Sequence, residues 1–345
     1  MTIILLGFGL LMIGSASVSE GARDFGNKWH FIALQLKWVS VGTILALILT
    51  RVNPIIWQKL AVPLLIIGIT LLILVTIPGI GTKVLGARRW LVLPGIVIQP
   101  SELIKLLEVI YLSSWFNSRK VTLPQFGAFI ILLSGLIMLQ PDMGTTLVVV
   151  MIAISMYFMA GHPLKNLLAI IAIGFVAGVI FIISSPYRLD RVKTFLDPEQ
   201  DPLGSSYHMR QVILALGSGG VTGVGIGRSR QKYEYLPEST TDSIFAVSGE
   251  ELGFIGNSLL ILAFIYFISL IFKIGNHCRS SFNSLLVLGV GSWFSVQVLL
   301  NLSAMVALTP LTGVPLPLVS YGGSALITML LGLGLILSVV RYEKG

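Results

Sequence analysis

Ten runs of mostly apolar residues, near 2–18, 31–50, 55–78, 102–116, 124–140, 143–161, 164–185, 243–273, 283–308 and 322–341, dominate this sequence. A helix needs about 20 such residues to cross the hydrocarbon core of a bilayer. The runs therefore predict an all-α polytopic membrane protein with about ten transmembrane helices. Composition agrees. Only 11% of the 345 residues are charged and 55% are hydrophobic, with a mean hydropathy of +0.91. Soluble domains carry about 25% charged residues, so this chain cannot cover a water-facing surface. The first run lacks a basic leader and a small-residue cleavage site, and reads as a retained span.

The single cysteine, Cys278, rules out an internal disulfide. The net charge of +8 comes from basic residues scattered singly between apolar runs. That pattern suits membrane flanks and anionic headgroups, and no nucleic-acid partner is expected. One set of short connections carries nine basic residues: Arg51, Lys59, Arg119, Lys120, Lys165, Lys273, Arg279, Arg341 and Lys344. The opposite set carries five: Arg23, Lys28, Lys83, Arg88 and Arg89. The richer side is expected to be cytoplasmic, which places both termini inside.

The chain reads as one integral-membrane domain, 1–345, with 186–242 as a long extracytoplasmic loop between helices 7 and 8. Loops longer than about 12–15 residues are usually functional or disordered. This one contains Tyr187, Phe195, Tyr207, Tyr233, Tyr235 and the apolar run MRQVILALGSGG, so it is expected to fold back on the membrane surface. Its glycine run, GSGGVTGVGIG at 217–227, lacks the Lys-Ser/Thr of a phosphate loop and reads as a flexible surface turn.

Charged groups inside spans mark function or a paired structural site. Glu102 and Lys105 sit at i and i+3 on one helical face, close enough to pair. They are either a self-neutralising ion pair or a receptor for an anionic headgroup, together with Arg88, Arg89 and Trp90. In LQPDMGTTL (139–147), Asp142 is placed to cap the next helix. The uncharged stretch TPLTGVPLPLVSYGGSALI (309–327) reads as a re-entrant or cavity-lining loop offering Ser320, Tyr321 and Ser324. Asp242 follows a polar run and directly precedes SIFAV. It is either a helix N-cap or a catalytic acid.

Six ordered blocks carry a resemblance across nearly the whole chain: GARRWL, QPSELIKL, QPDMGTTL, FLDPEQDPLGSSYHMRQVILALGSGGVTGVGIGRSRQKYEYLPES, TDSIFAVSGEELGFIG and GVPLPLVSYGGSALI. Together they resemble the SEDS family of FtsW, RodA and SpoVE, closer to the FtsW/SpoVE branch. The family usually reads Pro-Glu-Ala-His-Thr-Asp-Phe, whereas Ser239, Thr240 and Ser243 stand here for the Ala, His and Phe. The Asp is kept.

The resemblance implies a peptidoglycan glycosyltransferase that polymerises lipid II at the outer face of the bacterial cytoplasmic membrane. It also implies a class B penicillin-binding protein as transpeptidase partner, beside other divisome or elongasome proteins. Asp242 is then the catalytic general base acting on an acceptor sugar hydroxyl, a role that contributes about 10²–10⁴-fold. An aspartate in water is a weak base, and partial burial would strengthen it. Inversion at the donor carbon needs no covalent enzyme intermediate. The substrate-binding candidates are Arg88, Arg89, Trp90, Glu102, Lys105, Arg210, Lys232, Glu238, Ser320 and Tyr321, the cations among them to receive the departing diphosphate. A divalent cation, Mg2+ or Mn2+, would share that role, although His30, His162, His208 and His277 form no ligand cluster in the sequence. Two other readings stay open: a lipid II flippase and a non-catalytic scaffold.

Overall fold

The computed structural model describes residues 1–84, 87–93, 96–118, 121–184, 189–190, 192–193, 195, 206–232 and 236–343. Arg119, Lys120, Lys344, Tyr187, Tyr233 and Tyr235, which entered the orientation and loop readings, lie outside the described residues.

All ten apolar runs fall on helices. The first is α1 (Thr2–Ala16), followed at a bend of 58° by the more polar α2 (Val18–Phe25). Then follow α3 (His30–Leu49), α4 (Pro54–Leu74), α5 (Pro100–Ser118), α6 (Leu123–Met138), α7 (Met143–Met159) and α8 (Leu164–Ile183). After the short α9 (Tyr207–Ser218) come α10 (Ile244–Asn276), α11 (Ser281–Met305) and α12 (Gly323–Glu343). Five of these, α3, α4, α10, α11 and α12, are long and apolar enough to cross a membrane, and the bent first pair makes six. Helices α6, α7 and α8 are shorter apolar helices, while α5 carries Glu102, Lys105 and Glu108 within its 19 residues.

Local chemistry sets several boundaries. Asn53 accepts the Ile55 amide at 3.0 Å, and Pro54 opens α4 where a missing N–H costs nothing. At α6, Gln125 Oε1 accepts the Thr122 amide at 3.3 Å. Asp142 caps α7 as its sequence position suggests, accepting from the Thr145 amide at 3.1 Å and the Thr145 hydroxyl at 2.9 Å.

Between α4 and α5 lies an element the hydropathy pattern does not announce. It is a small antiparallel sheet of β1 (Thr82–Val84), β2 (Ala87–Leu93) and β3 (Ile96–Ile98), in that order. Thr82 stands opposite Trp90, Lys83 opposite Arg88, and Leu91 opposite Ile98.

The chain forms two compact units, each assembled from three separated segments. The first comprises Met1–Lys37, Ile171–Phe267 and Gln297–Gly322. The second comprises Trp38–Ile170, Ile268–Val296 and Gly323–Gly345.

In the first unit, α10 is broken at Gly253 (φ 68°, ψ −167°), a conformation open essentially to glycine alone. A break inside a membrane helix strands carbonyls and amides that must be paired within the protein. The glycine run supplies the partners. Val224 and Gly225 amides donate to the Glu250 and Glu251 carbonyls, both at 3.0 Å. The Phe254 and Ile255 amides donate back to Gly220 and Val221 at 2.9 and 3.1 Å. A Cβ on Gly223 would stand 2.2 Å from the Glu251 carbonyl oxygen, so only glycine lets the two backbones meet. The run is a backbone strap across the α10 break, not the flexible turn expected of it.

In the second unit α5 packs against α4, α7 and α12, fully buried Trp293 of α11 lies beside Lys105 of α5 and Gly332 of α12, and Phe126 and Tyr157 form a stacked aromatic pair.

Candidate functional site

Asp242 lies in the first unit at the end of a turn that runs from Glu238. The amides of Thr241 and Ser243 both donate to the Glu238 carbonyl at 3.1 Å, which holds Glu238 at a left-handed φ of 51°. Helix α10 begins immediately afterwards. The Ala246 and Val247 amides donate to the Ser243 carbonyl at 2.9 and 3.3 Å, so Ser243 is the cap residue. Asp242 stands one residue outside the helix, and capping does not explain it.

The turn is tied down from several directions. Asn301 of α11 donates through Nδ2 to the Asp242 carbonyl and to the Val314 carbonyl, each at 2.8 Å. Ser320 donates to the Thr241 carbonyl at 2.5 Å and accepts the Leu316 amide at 2.8 Å. The Tyr321 amide donates to the Thr240 carbonyl at 2.9 Å. Gln35 donates to the Ser320 carbonyl and accepts the Gly322 amide. The proline- and glycine-rich stretch after α11 is therefore the wall against which Asp242 is set. A Cβ built on its Gly313 would lie 4.0 Å from Asp242 Oδ2.

Asp242 as a whole residue is 7% exposed. Thr241 Oγ1 lies 3.1 Å from Asp242 Oδ1 and 2.8 Å from Glu238 Oε2. One hydroxyl carries one proton, so it serves one of the two carboxylates at a time. Burial first, then the negative charge of Glu20, pushes the Tyr321 phenol up. Its ring packs edge-on against Phe31 at 5.2 Å. The turn thus brings Asp242 together with Glu238, Ser320 and Tyr321, three of the substrate-binding candidates. Arg210 is exposed on α9.

Lys232 occupies a different setting in the same unit. Its ammonium donates to Glu251 Oε1 (3.1 Å), Ser15 Oγ (3.0 Å) and the Gly227 carbonyl (2.7 Å), with the pair almost fully buried. Neighbouring Glu250 accepts the Arg230 amide at 2.9 Å and the Ser229 hydroxyl. These contacts fasten the strap to α10, and Lys232 is the counter-charge of Glu251 there.

The second unit holds the remaining cations. Lys105 Nζ lies 2.8 Å from Glu102 Oε1 and 5.7 Å from the Trp293 ring centroid, 1% exposed. The ion-pair reading of these two residues holds in this structure. Strand alternation separates the two arginines. Arg89 shares the face of buried Ala87 and Leu91, and its guanidinium donates to the Gln140 carbonyl at 2.9 Å and to the Pro141 carbonyl. Arg88 and half-buried Trp90 share the other face, and Arg88 Nη1 finds no hydrogen-bond partner among the described residues.

Sequence reasoning passed over Thr241, Asn301, Gln35 and Glu108. The signal for Asn301 and Gln35 is a polar side chain in an apolar run, expensive there unless bonded. Glu108 is fully buried in α5, with both oxygens unpartnered among the described residues. Among those residues no three His, Cys, Asp or Glu side chains converge as metal ligands.

The profile of the FtsW/RodA/SpoVE cell cycle protein family matches residues 1–345. At 38% identity the chain is similar to a probable peptidoglycan glycosyltransferase FtsW of Trichlorobacter lovleyi, covering 98% of this chain and 91% of the relative. It is 36% identical to stage V sporulation protein E of Bacillus subtilis, covering 99% and 96%. Among solved structures it matches a chain from work on coordinated polymerization and crosslinking by a peptidoglycan synthase complex. There the TM-score is 0.80 and the identity 29%, with 99% and 97% of the two chains covered. It matches the rod shape determining protein RodA of Thermus thermophilus at a TM-score of 0.74 and 28% identity, covering 100% and 95%.

Proposed function

The chain belongs to the FtsW/RodA/SpoVE family of cell cycle proteins, and from that membership we propose that it is a peptidoglycan glycosyltransferase of the bacterial cytoplasmic membrane. It polymerises lipid II, with the segment before α10 on the outer face and both termini in the cytoplasm. A class B penicillin-binding protein that cross-links the product is its partner. The likeness to a chain of a peptidoglycan synthase complex supports that pairing.

Asp242 is the general base. The observation that carries this role is a carboxylate outside the helix cap, on a turn whose backbone is bonded at residues 240, 241 and 242 by Tyr321, Ser320 and Asn301. A base so fixed needs little reorganisation when the acceptor hydroxyl arrives. Asp242 takes that proton as the acceptor oxygen attacks the donor's anomeric carbon, and the lipid diphosphate leaves with the bonding pair. Inversion in one displacement follows, with no covalent enzyme intermediate. Tyr321 and Glu238 flank the base as hydrogen-bonding partners for sugar hydroxyls. Arg89, Lys105 and Lys232 are committed to protein acceptors.

The test is polymerisation of purified lipid II by the chain co-purified with its cognate transpeptidase. Asp242→Asn keeps the shape and removes the base, and is expected to lower the rate about 10²–10⁴-fold. Wild-type polymerisation by that variant overturns the assignment. Polymer formation in detergent, where there are no leaflets, separates an enzyme from a flippase.

A further inference from the structure

The carbonyl of Asp242 is held by Asn301, but a second tether acts on the next residue. Ser243 is fully buried, and its hydroxyl oxygen lies 2.8 Å from Nε2 of His208 in the first turn of α9. Ser243 is also the residue whose carbonyl opens α10. It stands where the resembled family usually has Phe, a side chain that could not make this bond.

Helix α9 is itself seated. Met209, Val212 and Ala215 are buried one turn apart. At its far end Gly219 approaches the Gly249 carbonyl so closely that a Cβ would lie 2.0 Å away. One end of α9 is thus locked to α10 through backbone contact, and the other reaches α10 through His208. Asp242 is bracketed, with α11 gripping its own carbonyl and α9 gripping the side chain of the following residue.

We propose that His208 is a positioning residue for Asp242, acting through the Ser243 hydroxyl. The inference rests on the reading of Asp242 as the base. Removing His208 leaves a buried hydroxyl that must find another partner, and the 242–243 backbone moves with it. A misplacement of about 1 Å at a reacting group can cost about 10²-fold.

The experiment is lipid II polymerisation by the complex with its transpeptidase, comparing wild type with His208→Ala, His208→Gln, Ser243→Ala, the His208→Ala/Ser243→Ala double variant and Asp242→Asn. His208→Ala is expected to lower kcat about 10–100-fold with KM for lipid II changed less than about twofold. His208→Gln, whose amide offers both a donor and an acceptor, recovers most of it. Ser243→Ala matches His208→Ala, and the double variant is no worse than either single one, because one tether is cut in all three. Elution profiles of the complexes stay at wild type, and melting midpoints fall by no more than the few degrees that one lost buried hydrogen bond costs. Wild-type kcat in His208→Ala, or no rescue by Gln, overturns the role of His208 while an inactive Asp242→Asn leaves the base standing. Full activity in Asp242→Asn overturns both.

Discussion

Lys232→Met is the most decisive stability test the structure offers. Lys232 and Glu251 have side chains 4% and 0% exposed, so water does not screen the pair. The substitution removes three donated bonds, to Glu251 Oε1, Ser15 Oγ and the Gly227 carbonyl, and keeps the aliphatic stem. Glu251 retains the Ser15 hydroxyl at 2.6 Å and a long contact from the Ser229 amide, but no cation. Breaking a buried pair from one side costs about 3–5 kcal/mol, because the surviving charge is left in a poor solvent. Glu251→Gln should cost a similar amount by stranding the ammonium. The double variant, with both charges gone, is expected to lie within about 1–2 kcal/mol of wild type, since replacing both members is often neutral. The assay is equilibrium unfolding in mixed micelles, run as a double-mutant cycle. A loss below about 1 kcal/mol in Lys232→Met, or two single losses that simply add, refutes the counter-charge role.

Gly253→Ala forces a side chain onto a glycine-only conformation, with a Cβ 2.3 Å from the Gly223 nitrogen and 2.6 Å from the Val221 oxygen. Strain and overpacking of about 1–3 kcal/mol each are expected to lower the detergent melting midpoint and the yield of monodisperse protein. A wild-type midpoint would show that the strap does not close over α10. Cys278, in the connection between α10 and α11, has its thiol pushed up to about 11 by burial and then by the charge of Glu343. The thiolate is the reactive form, so maleimide labelling is slow at pH 7–8 and rises roughly tenfold per pH unit until about pH 11. Rapid labelling already saturating near pH 8.5 would contradict that environment.

Continuous apolar runs were enough to locate every long helix, because a lipid solvent leaves a chain few ways to bury its backbone, and runs of about 20 apolar residues have essentially one solution. The cap at Asp142 and the Glu102–Lys105 pair were also legible, being contacts between residues three apart in sequence. The family blocks carried Glu238, Asp242 and the Ser320–Tyr321 pair separately, and only the fold brings them together. The sheet of residues 82–98 was not legible, since two of its three strands are only three residues long and pair β2 without a hydropathy signal of their own. Without them the alternation that separates Arg88 from Arg89 could not be read.

The sequence by itself therefore determined the membrane class and the order of the apolar helices. Only the tertiary structure decided how polar groups far apart in sequence are shared out. It gave Lys232 to Glu251, Arg89 to the carbonyls of Gln140 and Pro141, the glycine run to the break in α10, and Asn301 and His208 to the turn bearing Asp242. The reason is physical. In a low-dielectric interior each buried donor must find an acceptor, but many pairings satisfy that demand equally well in composition. Which one forms depends on distances that exist only once the helices have packed.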